Sequence, residues 1–448
     1  MEPLPFVRVV VINFDGGQMT IDCLQSLSAT DYPADRIEIV MVDNGSLDDV
    51  VERVAAELPA VRVIESLENT GFAGGCNLGI RAAGEFDHIA LVNNDATVSP
   101  DWLRPLVDVL AADPGLGAAC PKILFAERYQ DVELEVPDAG RIGRDPRILG
   151  VRVSGVRLDG ERCDDRVQFD EGFSPPEAPH AFDQEEMAVW SSERGRLRLQ
   201  VSGALSRCLS LRVSARDQRT LRLRSGEHTA SVDHLLDHRW VDLELDSTVY
   251  DVINNVGSNL YERGFAGDRG FLELDHGQFD EPADVFAWCG GAVLLSGRYL
   301  DEVGLFDERL FLYYEDTDLS WRGRLAGWNY RYVPTSVVRH RHAQSSVAFS
   351  PTFRYYTERN RVLVLAKNAP LGLMVRSTLG LVRRLALHAG RDLLLRPLTL
   401  RFPVRAEVAH EWRVLRDVVV ALPGMLRDRR RAATLVDRRS LMSWEVAK

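Results

Sequence analysis

Between Val7 and Ala112 the chain alternates short β-branched runs with stretches of helical apolar spacing, and this alternation limits the possible fold more than any other feature. Strand patterns cover Val7–Ile12, Ile37–Val42, Val61–Glu65 and Ile89–Val92, and helical patterns cover Thr20–Ala29, Leu47–Leu58, Phe72–Ala83 and Trp102–Ala112. Strands separated by helices over short connections predict a parallel, doubly wound α/β sheet. Each strand pattern ends on amide or carboxylate side chains: Asn13 after the first, Asp43-Asn44-Gly45-Ser46 after the second, Asn69-Thr70-Gly71 after the third, and Asn93-Asn94-Asp95 after the fourth. Asn and Asp are common in turns, but turn chemistry alone is a poor account of four successive strand ends. Ligands of open α/β sheets bind beyond the carboxyl ends of the strands. The pattern therefore predicts one polar ligand site along one edge of the sheet.

At 448 residues the chain is too long for one ordinary core, so two or three domains are expected. Its 45% hydrophobic and 27% charged residues are those of a soluble globular protein. No run approaches the roughly 18 apolar residues of a spanning helix. The apolar run at the N-terminus has no basic flank and no small-residue cleavage site, so it reads as a strand and not a leader. Six scattered cysteines (Cys23, Cys76, Cys120, Cys163, Cys208, Cys289) form no C-x-x-C pair. That usage fits reduced thiols in a cytoplasmic protein and carries no zinc signature.

From about Asp131 to Asp251 the period changes. "GRLRLQV" (Gly195–Val201), "CLSLRVSA" (Cys208–Ala215), "RTLRLRS" (Arg219–Ser225) and "RWVDLELD" (Arg239–Asp246) alternate with period two between frequent turns. They predict an all-β sandwich inserted into the α/β domain. After Asp284 the α/β character returns, and Arg-rich amphipathic helical patterns follow at Val375–Leu395 and Val408–Leu426. The expected division is 1–130 and 252–368 for two halves of an α/β domain, 131–251 for the insert, and 369–448 for a basic helical tail. From Leu371 onward there are 16 Lys/Arg against 7 Asp/Glu, although the whole chain carries a net charge of −12. A basic tail on an acidic body points to an anionic partner.

Several stretches, in order, resemble the inverting GT-A-fold glycosyltransferases of family 2, in particular the rhamnosyltransferase-like branch that builds bacterial surface polysaccharides. They are "VVINFDGG" (Val10–Gly17), "VMVDNGSLDD" (Val40–Asp49), "ENTGFAGGCNLGI" (Glu68–Ile80), "LVNNDATVSPDWL" (Leu91–Leu103), "CGGAVLLS" (Cys289–Ser296), "VGLFDERLFLYYEDTDLSWRGRLAGW" (Val303–Trp328) and "VVRHRH" (Val337–His342). The likeness covers roughly residues 6–125 and 250–368. The β-rich insert lies outside it and resembles, more loosely, the sandwich modules attached to some such transferases.

The resemblance implies transfer of a sugar from a nucleoside-diphosphate donor, with dTDP-rhamnose the favoured donor, to a glycan or lipid-linked acceptor. Such a reaction must stabilise a diphosphate leaving group and deprotonate an acceptor hydroxyl. A divalent ion, Mg²⁺ or Mn²⁺, meets the first need with oxygen ligands in octahedral geometry. By resemblance Asp95 is the metal-binding aspartate, and Asn93 stands where many members carry a first Asp, which lowers the charge there. His340 completes the metal shell, with His342 as the alternative. Asp43 accepts from the nucleobase beside Asn13, and Asn69, Gly71, Phe72, Gly74, Asn77, Asn93 and Asn94 complete the donor side, with Gly79 further along the same glycine-rich stretch. Asp316 is the base and Glu315 its neighbour, two adjacent carboxylates of which one is favoured to have a raised pKa. Trp288 is read either as an acceptor platform or as core packing, with Gly290 and Gly291 beside it on the acceptor side.

Two rival readings stand beside this one. A non-catalytic carbohydrate-binding protein on the same scaffold would bind glycan without nucleotide or metal, and the presence of both Asp95 and Asp316 argues against it. A sugar-nucleotide pyrophosphorylase would want a basic Gly-rich loop after the first strand, and "NFDGGQ" has no Lys or Arg. The basic tail fits an anionic membrane surface, and fits a helical bundle or dimer contact equally well. No aromatic-basic interleaving supports nucleic-acid binding. The expected location is the cytoplasm, with a peripheral place on the inner face of the cell membrane if the tail binds lipid.

Overall fold

The computed structural model of the chain describes residues 3–141, 147–163, 166–169, 172–174, 188–201, 205–341, 350–391, 406–432 and 434–446. The chain divides into two compact units. One comprises Met1–Ala126, Ile253–Glu273 and Gly277–Lys448, and the other comprises Glu127–Val252 with Leu274–His276.

The first unit begins β1 (Val7–Asn13), α1 (Gly17–Ser28), β2 (Ile37–Asp43), α2 (Val50–Glu57), β3 (Arg62–Glu65), α3 (Gly71–Ile80), β4 (His88–Val92), β5 (Ala96–Val98), α4 (Leu103–Ala112) and β6 (Leu116–Phe125). These elements fall within a few residues of the expected ones, and the fold is the mixed α/β class that the alternation predicts. β1 reads as a β-branched run interrupted only by the buried Arg8, because both its faces are covered. Val7, Val9 and Val11 pack into one core with Ile21, Leu24 and Leu106. Val10 packs into another with Ile80 and Leu91. The glycines of α3 let that helix lie close on the sheet, since a Cβ at Gly75 would come within 2.9 Å of Ile12 and one at Gly79 within 2.4 Å of Val10.

Parallel pairing joins β4–β1–β2–β3. Later in the chain β21 (Ala292–Ser296) inserts antiparallel between β4 and β6, and β22 (Asn329–His340) runs parallel to β6 on its other side. The end of β22 also pairs antiparallel with β5, which sets His340 opposite Ala96. This register returns a residue from the far end of the chain to the Asn93-Asn94-Asp95 turn. Between β21 and β22 lie α5 (Gly297–Val303) and α6 (Glu315–Leu325).

The second unit is all β. One five-stranded sheet runs β10 (Val167–Phe169), β12 (Arg194–Val201), β7 (Arg128–Glu135), β14 (Arg219–Ser225), β15 (His228–Leu235). The other runs β11 (Val189–Trp190), β8 (Arg152–Leu158), β13 (Cys208–Ser214), β16 (Arg239–Glu244), with β9 (Glu161–Arg162) on β8. Alternate residues of both sheets, such as Leu197 and Leu223 from one and Leu209 and Val241 from the other, share one core.

Residues 253–273 rejoin the first unit through β17 (Ile253–Asn255), which pairs with β6, and the hairpin β18 (Ser258–Tyr261)–β19 (Phe265–Asp268). A further short strand, β20 (Ala283–Asp284), pairs with β22, and β23 (Glu445–Val446) pairs with β18. After β22 come α7 (Pro351–Asn368), α8 (Leu371–Ala389) and α9 (Ala406–Arg431). These helices pack with Trp321 and Leu325 of α6 in one core, so they belong to the first unit and do not form a separate tail. The helix expected over Val375–Leu395 starts earlier, at Leu371, and residues 392–395 lie outside the described residues.

Candidate functional site

The ends of β1, β2 and α3 are tied together by the side chains that the sequence singles out. Asn13 Nδ2 donates to Asp43 Oδ1 at 2.9 Å and to Ser46 Oγ at 3.0 Å, while its Oδ1 accepts from Thr20 Oγ1 at 2.7 Å. The backbone N–H of Ser46 donates to Asp43 Oδ2 at 3.2 Å, which leaves unused acceptor capacity on that carboxylate. Asn44, buried, accepts from the Thr70 N–H and hydroxyl at 3.0 and 2.8 Å. Its amide donates to Asn69 Oδ1 at 3.1 Å, and the same oxygen accepts from the N–H of Gly71 at 2.8 Å. Asn94 reaches back to Thr20 Oγ1 at 3.0 Å. A rigid polar floor results, lying beyond the carboxyl edge of the sheet.

At the Asn93-Asn94-Asp95 turn the β22 register brings His340 Nε2 to 2.9 Å from Asp95 Oδ1. The ring is oriented from behind: His340 Nδ1 lies 3.3 Å from Asn254 Oδ1, a partner that turns Nε2 toward the carboxylate. Asn93 Nδ2 lies 3.4 Å from the same Nε2. Two ligands at ~2.1 Å on adjacent corners of an octahedron sit about 3 Å apart, so this oxygen–nitrogen spacing fits a divalent ion. Among the described residues no cluster of three or more His, Cys, Asp or Glu could hold a metal. Asp95 and His340 would thus be a two-residue clamp, the arrangement expected when substrate phosphate and water supply the other ligands.

Gly290 and Gly291 connect this corner to the second carboxylate. The N–H of Gly290 donates to Asp316 Oδ2 at 3.1 Å, and Gly291 O accepts from the N–H of Asn93 at 2.9 Å. A Cβ at Gly290 would stand 3.1 Å from the Phe72 ring, and one at Gly291 would stand 3.8 Å from His340 Cε1. Asp316 Oδ1 accepts from the Thr317 N–H at 2.6 Å and hydroxyl at 3.2 Å. Burial raises the Asp316 pKa above the ordinary aspartate value, partly offset by the hydrogen bonds from Gly290 and Thr317. The neighbouring Glu315 is turned inward and only 6% exposed, and burial, reinforced by the Asp316 charge, holds its carboxyl well above the usual range. The two carboxylates are therefore divided: Asp316 lies beside the glycine turn, and Glu315 is buried where its neutral form is favoured.

Glu315 carries a stability prediction. Its folded pKa is raised, so the folded chain holds a proton that the unfolded chain releases near the ordinary glutamate value. Stability is fully present below that value and falls as pH rises through the window up to the folded pKa. Glu315→Gln is expected to flatten this decline and to melt higher than wild type at alkaline pH, measured as Tm against pH.

The loop before α6 is under strain. Phe311, Tyr313 and Tyr314 have φ of 66°, 65° and 70°, a region that costs a side-chain-bearing residue about 1 kcal/mol or more each. Asn360 of α7, fully buried, stabilises it: its amide donates to the carbonyls of Leu310, Leu312 and Tyr313 at 2.7, 2.9 and 2.8 Å. The Phe311 carbonyl in turn accepts from the N–H of Ala73 at 3.2 Å at the start of α3. Gly71 there has φ of +73°, and a Cβ would lie 2.4 Å from that carbonyl oxygen, so only glycine allows the approach. One turn into α6, buried Asp318 is held by Lys367 Nζ at 2.9 Å, Asn368 Nδ2 at 2.8 Å and Arg322 Nε at 2.8 Å. The sequence reading missed Asn254, Asn360, Lys367 and Asp318. It also missed Asp268, whose Oδ1 accepts from Asn255 Nδ2 at 2.5 Å, and whose pKa burial pushes up to about 6, with the Asp316 charge contributing.

Three expectations are corrected. Asn77 does not face a nucleotide: it is 1% exposed, its amide donates to Phe306 O at 3.0 Å and Glu308 Oε1 at 2.7 Å, and its oxygen accepts from the N–H of Phe306 at 3.1 Å. Trp288 is core packing and not a platform, fully buried and edge-on to Phe306 with ring centroids 5.9 Å apart. Gly74 abuts its own helix start, a Cβ there lying 2.6 Å from Thr70 Cβ, and Gly79 serves packing on β1, so neither glycine offers backbone to a ligand. His342 lies outside the described residues.

Residues 8–130 match the sequence family described as "Glycosyl transferase family 2". Over 68 residues the chain is 44% identical to N-acetylglucosaminyl-diphospho-decaprenol L-rhamnosyltransferase of Mycobacterium tuberculosis, covering 15% of this chain and 22% of the relative. Over 89 residues it is 36% identical to rhamnosyltransferase WbbL of Escherichia coli, covering 18% and 33%. The chain thus spans between about a fifth and a third of the curated relatives it matches. Among solved structures, that of GalNAc-T7 with UDP, GalNAc and Mn²⁺ aligns with a TM-score of 0.45 at 14% identity, over 82% of this chain and 48% of the other. The matched segment carries the strand-end side chains from Asn13 to Asp95 in the order and places described above. The likeness of this protein to glycosyl transferase family 2 thus lies in residues 8–130, the segment that holds those side chains.

Proposed function

We propose that the chain is an inverting, metal-dependent glycosyltransferase that takes a sugar from a nucleoside-diphosphate donor. The observation that carries this reading is the placement of Asp316 at one end of the Gly290-Gly291 turn and the Asp95–His340 pair at the other. The diphosphate end of a donor lies against Asp95 and His340, with the nucleoside over Asn13 and Asp43. A divalent ion held by Asp95 and His340 would neutralise charge gathering on the leaving diphosphate. On the opposite side Asp316 accepts the proton of an acceptor hydroxyl as its oxygen attacks the anomeric carbon. One in-line displacement inverts that carbon, and it needs a base only on the acceptor side. The raised pKa of Asp316 moves it toward the range in which a carboxylate is an effective base.

The relatives support a finer reading. Both are named as rhamnosyltransferases, and the first acts on a lipid-diphosphate-linked sugar, which favours dTDP-rhamnose as donor and a glycan or lipid-linked acceptor in cell-surface polysaccharide synthesis. The test is nucleoside-diphosphate release from UDP-, GDP- and dTDP-sugars with a prenyl-diphosphate-linked sugar as acceptor, and the anomeric configuration of the product by NMR. Release with one donor, abolished by chelator and restored by Mn²⁺, with an inverted product, is the expected result. A retained configuration, or no turnover with any donor, would contradict the reading.

A further inference from the structure

We infer that α8 and α9 form a docking surface for an anionic lipid bilayer. One side of α8 packs inward through Leu373, Ser377 and Leu381. The other side presents Leu371, Val375, Leu379, Val382 and Leu387 to solvent, with Leu379 62% exposed. Leu371, Val375, Leu379 and Val382 recur at the spacing that puts residues on one helix face, so this is a stripe and not a scatter of apolar residues. Arg376 and Arg383 lie beside it, and neither makes an ion pair among the described residues. On α9, Trp412, Val419 and Val420 are 59%, 58% and 75% exposed. No helix of the described residues is long and apolar enough to cross a membrane.

Charge decides among occupants. α8 contains no acidic residue at all. The carboxylates of α9 are all engaged: Glu407 with Arg354 at 2.9 Å, Glu411 with Arg384 at 3.3 Å, Asp417 with Tyr355 at 2.6 Å, and Asp428 with Arg309. Arginines of other elements match three of these charges and the neighbouring Arg416, at 2.8 Å, matches that of Asp417, so further arginines and apolar side chains remain outside. A second copy of this basic surface would repel it. The apolar stripe flanked by arginines on α8, with an exposed Trp on α9, suits an anionic bilayer, leucines toward the acyl boundary and arginines at headgroup level. The inference stands independently of sugar transfer, because lipid binding is measured without donor or acceptor.

The experiment is co-sedimentation of the full chain with vesicles of phosphatidylcholine alone and of phosphatidylcholine with phosphatidylglycerol in equal amounts, with light scattering in parallel. Wild type is expected to sediment with the anionic vesicles only and to be released by high salt. Arg376→Ala with Arg383→Ala is expected to weaken partition about thirtyfold. Leu379→Asp should abolish binding. Ile148→Asp, at a comparably exposed apolar position in the β unit, should not. Absence of wild-type binding, or binding that Leu379→Asp leaves intact, overturns the inference. So does a wild-type dimer that Leu379→Asp dissociates without any vesicle binding, which would assign the stripe to self-association.

Discussion

Asp316→Asn is expected to lower kcat for sugar transfer by about a thousandfold, within the ~10²–10⁴ range for loss of a positioned base. The change is nearly isosteric. An amide oxygen can keep the bonds from the Thr317 N–H and hydroxyl, so the start of α6 keeps its shape. What disappears is the ability to take a proton, together with the hydrogen bond from the Gly290 N–H, which an amide NH2 cannot accept. In the proposed reading donor binding rests on Asp95, His340 and the strand-end amides, so it should be nearly unchanged. The wild-type rate should fall as pH drops through a value above the ordinary aspartate range, since burial holds the Asp316 pKa up and the base acts only when ionised. The variant should lack this acid limb. Substantial residual turnover in Asp316→Asn, or an unchanged pH profile, would remove Asp316 from the role of base.

Lys367→Met is expected to destabilise the first unit by about 3–5 kcal/mol, the cost of leaving buried charge without its partner. Lys367 Nζ bridges Asp307 at 2.8 Å and Asp318 at 2.9 Å, and all three side chains are almost wholly excluded from solvent. Burial pushes both carboxyls up. For Asp307 the Arg309 hydrogen bond and Lys367, and for Asp318 the Lys367 and Arg322 charges, outweigh it and hold each below the usual value. Such groups stabilise the fold above the unfolded aspartate pKa, and that contribution is lost as pH falls through the lower folded value. Removing the ammonium takes away the cation that the two carboxylates share and leaves Asp307 to Arg309 and Asp318 to Arg322. The expected fall in Tm is about 10 °C, largest at neutral pH and smaller in acid, where protonation relieves the repulsion. A Tm change within a degree or two would show the bridge to be dispensable.

Much of the fold could be read from the sequence because the α/β portion obeys local rules. β1 and β2 are largely buried and read as β-branched runs interrupted by Arg8 and Glu38, and the parallel order then forces their polar ends together at one edge. That reasoning needs no long-range information, and it brings Asn13, Asp43, Asn69 and Asp95 to one side of the sheet. The period-two runs of the second unit were legible for the same local reason. The misreadings arise where the meaning of a residue depends on where the chain returns. Asn77 sits in a motif that looks ligand-facing, but the loop at Phe306 comes back over it 229 residues later and uses its whole amide. Trp288 lies beside the glycine turn, but nothing local says that the Phe306 ring, 18 residues later, will pack edge-on against it. Asn254, behind His340, and Asn360, over the strained loop, carry no local pattern. Each is recognised only by the carbonyls or the ring it holds. The helices after Leu371 were read as a tail because of their charge. Their acidic residues turn inward onto arginines and a tyrosine of other helices, a pairing invisible in a linear count.

The central claim is that Asp95 and His340 hold a metal against a donor diphosphate. Thermal shift with UDP, GDP, dTDP and CDP, each with and without Mn²⁺, on wild type and Asp95→Ala, addresses it most directly. The account predicts a rise in Tm with one nucleotide that requires Mn²⁺ and is absent in Asp95→Ala, even though the variant folds. A nucleotide shift of equal size without metal, or one that survives in Asp95→Ala, would contradict it.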